Sequence, residues 1–423
     1  MLRQISPVLP WTDEEGQTTP SQDVMFSRAA DYYAYARENR GIRFGENRVG
    51  ITTELDEFRL RCAAGQHDRA ARLLIDIDEK GLLVPGRYGE MAELHEQLLG
   101  RLTDSRLRMH SLVRLGIAYY RIGKYARAVS VLQMALELAK GEDPEHQIRI
   151  KGNIGNCYAA MGRSLSAIRV YSEALETAAE LGDKVLQGAY LQCLGNRYAE
   201  RGDIGAAVSH YDRALEIYRE RPNEQSAPGV LESPVDAEIR EDHAMLLLNL
   251  ASLHIDERKF KDALKIGAQA QQAGEAIGSA IIQTNAHCCL ATANLCLGNL
   301  FIAKGEAEKA RKFDVQQFNR EAFVLLGLIA LGPRHCEVAQ RTFERSLQYG
   351  EALLALDELN FKAWDFISLA HHGLTRCGLP NRTQATEAYA AARKINNDSG
   401  VVNRFKLLVE LLYPDSFEPG AVL

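Results

Sequence analysis

The feature that most constrains this chain is a 26-residue segment that occurs three times, in copies that align with one another without gaps. The copies are RLGIAYYRIGKYARAVSVLQMALELA from Arg114, NIGNCYAAMGRSLSAIRVYSEALETA from Asn153 and CLGNRYAERGDIGAAVSHYDRALEIY from Cys193. Each copy has Gly, an aromatic residue, Gly, Ala, a large residue and Ala at the same six positions. These are Gly116, Tyr119, Gly123, Ala128, Leu132 and Ala135, then Gly155, Tyr158, Gly162, Ala167, Tyr171 and Ala174, then Gly195, Tyr198, Gly202, Ala207, Tyr211 and Ala214. Such self-similarity predicts an array of stacked repeats.

The six positions have a physical reading as two helices joined by a tight turn. The second Gly of each copy is suited to end the first helix (helix A) in a left-handed conformation. The first Gly and the first Ala are suited to the points where helix A and the second helix (helix B) approach closely. This pattern resembles the tetratricopeptide repeat (TPR). The resemblance implies an all-α fold, a right-handed superhelix of stacked antiparallel helix pairs.

The repeat continues in a weaker form toward the C-terminus. Equivalent small residues are Gly116, Gly155, Gly195, Ala251, Ala291, Gly327 and Ala370, giving steps of 39, 40, 56, 40, 36 and 43. Steps near 40 exceed the usual TPR step of about 34 and predict longer helices. We expect residues 1–24 to be disordered, 25–104 to form degenerate cap repeats, 105–221 three clear repeats, 222–236 an inserted loop, 237–412 four degenerate repeats and 413–423 a tail. The loop is interpreted either as a passive linker or as a contact or hinge segment.

Four further segments extend the resemblance beyond the repeat itself. They are RAADYYAYAR (28–37), FRLRCAAGQHDRAARLL (58–74), ELHEQLLGRLTDSRLR (93–108) and GVVNRFKLLVELL (400–412). They resemble the C-terminal sensor arrays of bacterial STAND-class (NLR-like) signalling NTPases. The resemblance implies a sensor or regulatory arm in bacterial signalling or defence. The sequence contains no G-x-x-x-x-G-K-[ST], so we expect no nucleotide-binding P-loop, and a separate NTPase or effector subunit is then a candidate partner.

Composition disfavours several other classes of protein. Fifty Lys and Arg against 56 Asp and Glu give a net charge of −6, the opposite of a nucleic-acid binder. The sequence has neither a signal peptide nor an apolar run of the roughly 20 residues that span a bilayer, so a cytoplasmic protein without membrane contact is predicted. No nucleophile motif, H-E-x-x-H or G-x-G-x-x-G occurs, which predicts no enzyme activity and no cofactor. His287, Cys288, Cys289 and Cys296 fit no zinc spacing, although an enzyme or metal protein using them is kept as a third hypothesis.

Helix-A positions spaced i, i+3, i+4 and i+7 share one side of the helix and predict the concave groove. The predicted ligand-binding residues are Arg114, Arg121, Arg149, Asn153, Asn156, Gln192, Asn196, Glu200, Asn249 and Ser252. Asn recurs among them although it is a mediocre helix former. An amide can bond both backbone groups of an extended peptide, and Arg suits carboxylates, which predicts a partly acidic ligand. Alternatively, the Asn side chains solvate the face or bond neighbouring helices.

The sequence also bears on two other modes of binding. Chaperone-binding TPRs hold a C-terminal carboxylate with Lys, Arg and Asn, whereas Val113 and Ile117 stand at the first of those positions here. Binding of a chaperone's C-terminus is therefore disfavoured. The main prediction is a non-catalytic module that binds a protein or extended peptide in its groove. The alternative is a stand-alone scaffold that binds partners, or itself, through convex or end surfaces.

Overall fold

The computed structural model describes residues 22–39, 48–78, 87–140, 144–220, 234–313, 316–331 and 336–413. Within these ranges the regular structure is entirely helical, with nineteen helices. The predicted all-α class of stacked helix pairs is confirmed. The expectations for residues 1–21, for residue 221, for 222–233 of the inserted loop and for 414–423 of the tail lie outside the described residues.

The helices follow one another with short connections. The first four precede the clear repeats and are α1 (Gln22–Asn39), α2 (Arg48–Ala63), α3 (His67–Ile77) and α4 (Tyr88–Glu96). Repeats one to three are α5 (Ser105–Arg121) with α6 (Tyr125–Leu138), α7 (Pro144–Ala160) with α8 (Ser164–Glu180), and α9 (Lys184–Arg201) with α10 (Ile204–Glu220). Repeats four to seven are α11 (Pro234–Asp256) with α12 (Phe260–Ile277), α13 (Ala280–Cys296) with α14 (Leu300–Lys312), α15 (Gln316–Ala330) with α16 (Cys336–Leu356), and α17 (Phe361–Arg376) with α18 (Arg382–Ile395). A further helix, α19 (Ser399–Leu412), follows repeat seven.

The chain divides into two compact units within α7. Unit 1 is Met1–Ile154 and unit 2 is Gly155–Leu423. In unit 2, consecutive A helices α9, α11, α13, α15 and α17 pack on one another, and each also packs on its own B helix. The surface that these A helices present away from their B helices is called the A-helix face below.

Each clear repeat is held by a large residue of helix B that packs on a glycine of helix A. A Cβ atom at Gly155 would lie 2.4 Å from the ring of Tyr171, and one at Gly195 would lie 2.4 Å from the ring of Tyr211. Ala167, the first Ala of repeat two, has no exposed surface. The predicted close approach at these positions is confirmed, and it explains why small and large residues alternate between the two helices.

The turn between helices A and B requires a left-handed residue in every repeat where it is described. The glycines there have positive φ, for example 68° at Gly162 and 82° at Gly202. Repeat four has Arg258 at the equivalent position, with φ 60°, and no other non-glycine among the described residues has a positive φ. A left-handed conformation costs an L-residue roughly 1–2 kcal/mol, so repeat four carries a local strain that the other repeats avoid.

One observation refines the predicted boundaries. Helix α11 begins at Pro234, so the last residues of the predicted inserted loop (222–236) are helical. Proline is well tolerated in the first turn of a helix, where its missing N–H is not needed.

Among the described residues, no helix is long and apolar enough to cross a membrane.

Candidate functional site

In unit 1, the predicted ligand-binding residues lie on α5 and on the first part of α7. Arg121 is exposed, and its guanidinium lies 5.6 Å from the centre of the Tyr88 ring. Arg149 is also exposed and pairs with Glu145 one helical turn earlier, at 3.1 Å. An exposed pair of this kind contributes little to stability, so Arg149 can exchange Glu145 for a ligand carboxylate. Arg114 and Asn153 are half-buried.

In unit 2, the two predicted Asn residues of repeats two and three have partners within their own repeats. The Tyr171 hydroxyl donates to Oδ1 of Asn156 at 2.6 Å, and the Tyr211 hydroxyl donates to Oδ1 of Asn196 at 2.6 Å. Both tyrosines are buried, with 2% of their surface exposed. Each amide oxygen thus joins helix A to helix B, which favours the alternative in which Asn bonds a neighbouring helix. The use of these residues in ligand binding stays a prediction.

The sequence carries a signal for these pairs that the groove hypothesis did not use. Asn follows the first Gly only in the clear repeats that have Tyr at the large position of helix B. Repeat one has Ile117 after its Gly and Leu132 at the large position. Asn and Tyr therefore occur together, as expected of two side chains that bond each other.

Glu200 lies at the end of α9 in a cluster of charged and polar groups. It receives two hydrogen bonds from Arg197, at 2.5 and 3.0 Å, and one from Nδ2 of Asn396, at 3.5 Å. Nζ of Lys362 lies 4.0 Å from the same carboxylate. Burial raises the pKa of the nearby Cys193 thiol to about 11, against the opposing charge of Arg197. This thiol is therefore protonated and unreactive at neutral pH.

Ser252 is contacted by Arg404 of α19. Nη2 of Arg404 donates to the Ser252 carbonyl oxygen at 2.7 Å and to its Oγ at 2.9 Å. The same guanidinium forms a bidentate pair with Asp256, donating from Nη2 to Oδ2 at 2.7 Å and from Nε to Oδ1. Sequence analysis missed Arg404 and Asp256, because 148 residues separate them and no motif connects them.

Gln192 and Asn249 complete the predicted set. Both are half-buried, and Oε1 of Gln192 and Nδ2 of Asn249 are buried atoms without a hydrogen-bond partner in the described part of the chain. One atom is an acceptor and the other a donor. These two side chains thus retain hydrogen-bonding capacity that the fold does not use.

Unit 1 also contains a Ser–His–Asp arrangement that sequence analysis did not find. Nε2 of His95 lies 2.7 Å from Oδ2 of Asp78, and Nδ1 of His95 lies 2.8 Å from Oγ of Ser111. Serine hydrolases use the same three groups, but the two ring nitrogens of His95 are exchanged relative to theirs. However, Asp78 and His95 have no exposed surface and Ser111 has 4%, so a substrate cannot reach the hydroxyl. The arrangement is a buried polar network in the core of unit 1, and Oδ1 of Asp78 has no hydrogen-bond partner among the described residues.

The cysteine and histidine residues of repeat five have structural surroundings. Nδ1 of His287 lies 2.6 Å from Oε2 of Glu306, and the His287 ring stacks on Phe313 at 5.9 Å. Cys288 is buried in the apolar core of unit 2. Over the described ranges, no group of three or more His, Cys, Asp or Glu side chains is placed to bind a metal ion.

Comparison with known proteins identifies the repeat. Two family profiles described as "Tetratricopeptide repeat" match residues 111–146 and 146–220. These residues are tetratricopeptide repeats, as predicted from the six matched positions.

Curated relatives share part of the chain. The chain is 23% identical over 193 residues to the 43 kDa receptor-associated protein of the synapse from Tetronarce californica, which is 45% of this chain and 43% of that protein. It is 27% identical over 139 residues to outer dynein arm-docking complex subunit 4 from Danio rerio, which is 33% of this chain and 28% of that protein. The chain thus matches less than half the length of either relative.

Solved structures resemble a larger share of the chain. The apo form of the quorum sensor NprR from B. thuringiensis has a TM-score of 0.54 at 13% identity, over 88% of this chain and 99% of that chain. A Rap protein complexed with Competence and Sporulation Factor has a TM-score of 0.53 at 14% identity, over 92% of this chain and 99% of that chain. A STAND protein with a tetratricopeptide repeat sensor from Pyrococcus horikoshii has a TM-score of 0.48 at 12% identity, over 91% of this chain and 56% of that chain. The likeness to NprR and to the Rap protein shows the fold.

Proposed function

We propose that this chain is a non-catalytic protein-binding module whose A helices hold a partner segment, and that it acts as a cytoplasmic sensor or regulatory arm. The partner segment is partly acidic and binds along the predicted A-helix residues. The resemblance to STAND sensor arrays favours a role in bacterial signalling or defence. A separate NTPase or effector subunit then responds when this chain binds its ligand.

The observation that carries this proposal is the pair of exposed guanidinium groups on the A helices of unit 1. Arg121 and Arg149 are both exposed, and Arg149 pairs with the solvent-exposed Glu145 on the same helix. Arg groups recognise carboxylates through paired hydrogen bonds. A repeat surface of this kind suits a segment of Asp and Glu residues.

The structural neighbours support a peptide as the ligand. The quorum sensor NprR has been solved in complex with its cognate peptide NprX, and a Rap protein has been solved with Competence and Sporulation Factor. These proteins share the helical architecture with this chain. The same architecture presents the same kind of inner surface, so we expect a peptide or a protein segment rather than a small metabolite.

The test is selection of peptide ligands by the full chain from a random-peptide phage library. We expect acidic peptides to be enriched. The double variant Arg121→Glu with Arg149→Glu should weaken their binding by about tenfold or more, because charge-assisted hydrogen bonds contribute roughly 1.5–3 kcal/mol each. The control is the double variant Arg169→Glu with Arg213→Glu, which replaces two exposed arginines on B helices. It changes the net charge by the same amount as the A-helix variant does. If the control variant loses binding and the A-helix variant keeps it, the alternative of a convex-surface scaffold is correct.

One observation favours that scaffold alternative as a second candidate. In the first turn of α14, Phe301 is 92% exposed, and the neighbouring Leu300 and Ile302 are 51% and 52% exposed. Three adjacent exposed apolar side chains suit a protein contact. Phe301→Ser should abolish partner binding if the scaffold alternative is correct. It should leave binding unchanged if ligands bind the predicted A-helix residues.

A further inference from the structure

Helix α19 lies on the A-helix face of unit 2, where it contacts α9, α11 and α17. Its apolar side is almost completely buried. Phe405 is 2% exposed, Leu408 8% and Val409 0%, and they join a core cluster with Ala291 and Leu325 of helices α13 and α15. This face of the repeats buries the apolar side of α19.

The polar contacts of α19 coincide with the predicted ligand-binding residues. Arg404 bonds both the carbonyl and the hydroxyl of Ser252, and Asn396, just before α19, bonds Glu200. Glu410 pairs with Arg258 at 2.5 Å. The chain's own C-terminal segment thus makes the kind of contacts at Ser252 and Glu200 that were predicted for a ligand.

The start of α19 is fixed by close backbone approach. Oγ of Ser399 donates to the carbonyl oxygen of Arg201 at 2.6 Å, and Oγ of Ser164 donates to the Asp398 carboxylate. A Cβ atom at Gly400 would lie 2.0 Å from the carbonyl oxygen of Ala199. This contact is between backbone atoms, so side-chain motion cannot relieve it. The residue at position 400 therefore has to be glycine for α19 to dock as it does.

We propose that α19 is an intramolecular ligand that regulates access to the A-helix face of unit 2. In the closed state it covers Ser252 and Glu200. A partner's amphipathic helix with the same pattern, a basic residue directly before a buried aromatic residue, binds the same surface after α19 is released. The proposal rests on the proposed function, since Ser252 and Glu200 belong to the predicted ligand-binding residues.

The tether explains why the closed state is the resting state. A segment joined to its site by a few residues acts at an effective concentration of roughly millimolar, so a free helix at micromolar concentration cannot compete with it. Weakening the docking of α19 alone should therefore open the face to a free helix. The tested change must act on docking and leave the repeats unaltered.

Gly400→Ala meets this requirement. The added methyl group meets the backbone of Ala199, Glu200 and Gly202, whereas alanine favours the helical conformation of α19 itself. Gly205→Ala in α10 is the matched control, because nothing lies within 4 Å of a Cβ atom there. The probe is a fluorescent peptide of residues 396–413, titrated into each full chain and followed by fluorescence anisotropy.

We expect the Gly400→Ala chain to bind the peptide about tenfold or more tightly than the wild-type and Gly205→Ala chains do. A peptide that carries Arg404→Glu should not bind. Hydrogen exchange should show faster exchange in α19 of the Gly400→Ala chain, with the repeats still protected. Dimerisation of this variant by exchange of α19 would also support the proposal, because the exchange requires release.

Three results would overturn the proposal. The first is fast exchange in α19 without peptide binding, which would make α19 only a cap. The second is unchanged protection of α19 in the Gly400→Ala chain. The third is unfolding of the repeats together with α19, both in that chain and in the milder Arg404→Gln chain. Since the probe is the chain's own segment, these results do not depend on whether the phage library yields a ligand, so failure of this proposal and failure of the proposed function are distinguishable.

Discussion

The hydrogen bond between Tyr211 and Asn196 offers the sharpest test of how the repeats are held together. The hydroxyl of Tyr211 is buried and donates to Oδ1 of Asn196 at 2.6 Å. Burial raises the pKa of Tyr211, so the hydroxyl is protonated and can donate at neutral pH. The perturbations are Asn196→Ala, Tyr211→Phe and the two together.

The structure sets the magnitudes. Asn196→Ala leaves the buried hydroxyl of Tyr211 without this acceptor and should lower the free energy of unfolding by about 1–3 kcal/mol. Tyr211→Phe leaves the amide of Asn196, which is partly exposed and can bind water, and should cost about 0.5–1.5 kcal/mol. The double variant should lose roughly 1 kcal/mol less than the sum, since the second change removes a group that has already lost its partner.

The assay is urea-induced unfolding followed by circular dichroism for the four chains of the cycle. The same cycle on Asn156 and Tyr171 repeats the measurement in a second repeat with the same 2.6 Å bond. Losses that simply add in both cycles would refute the structural role of the Asn side chains. Ligand binding then separates the two interpretations of Asn: Tyr211→Phe keeps the amide, so it should preserve binding if Asn contacts the ligand.

Three further predictions concern the repeat register, the strained turn and a buried carboxylate. Ala167→Leu should lower the free energy of unfolding by roughly 1–3 kcal/mol by overpacking, and Ala160→Leu, at a half-buried position, should cost far less; equal losses in urea unfolding would contradict the register. Arg258→Gly should be more stable than Arg258→Ala by about 1 kcal/mol in the same assay, because both remove the side chain and only glycine relieves the positive φ. Burial raises the pKa of Asp365 from 3.8 to about 6, so the native state binds its proton more tightly than the unfolded state does. This contribution to the free energy of unfolding should be fully present below about pH 4 and should fall by about 1–3 kcal/mol as the pH rises through about 6. Unfolding measured at several pH values should show a smaller pH dependence for Asp365→Asn.

The sequence predicted the repeats well because their constraints are local. Gly123, Gly162 and Gly202 end their A helices, and the left-handed turn that they provide depends on only a few neighbouring residues. The packing of Tyr171 on Gly155 depends on residues sixteen positions apart, which is within one repeat. A fixed period makes such contacts visible as a pattern.

The position of α19 could not be predicted in the same way. Arg404 contacts Ser252 across 152 residues, and Ser399 contacts Arg201 across 198. These contacts join residues of different repeats, so no pattern within a single repeat predicts them. The buried Asp78–His95–Ser111 network was also missed, because its members lie in three different helical segments and follow no motif.

The hydrogen bonds of the A-helix face restrict what a ligand can gain there. A ligand group that bonds Oδ1 of Asn156 or Asn196 competes with a tyrosine hydroxyl, and one that bonds Ser252 competes with Arg404. Exchanging one hydrogen bond for another yields little net free energy, whereas satisfying a buried group without a partner removes a penalty of about 1–3 kcal/mol. Oε1 of Gln192 and Nδ2 of Asn249 are such atoms in the described part of the face. Ligand selectivity in unit 2 is therefore expected to depend on these two side chains. Because both atoms are buried, a ligand must insert a backbone or side-chain group to bond them.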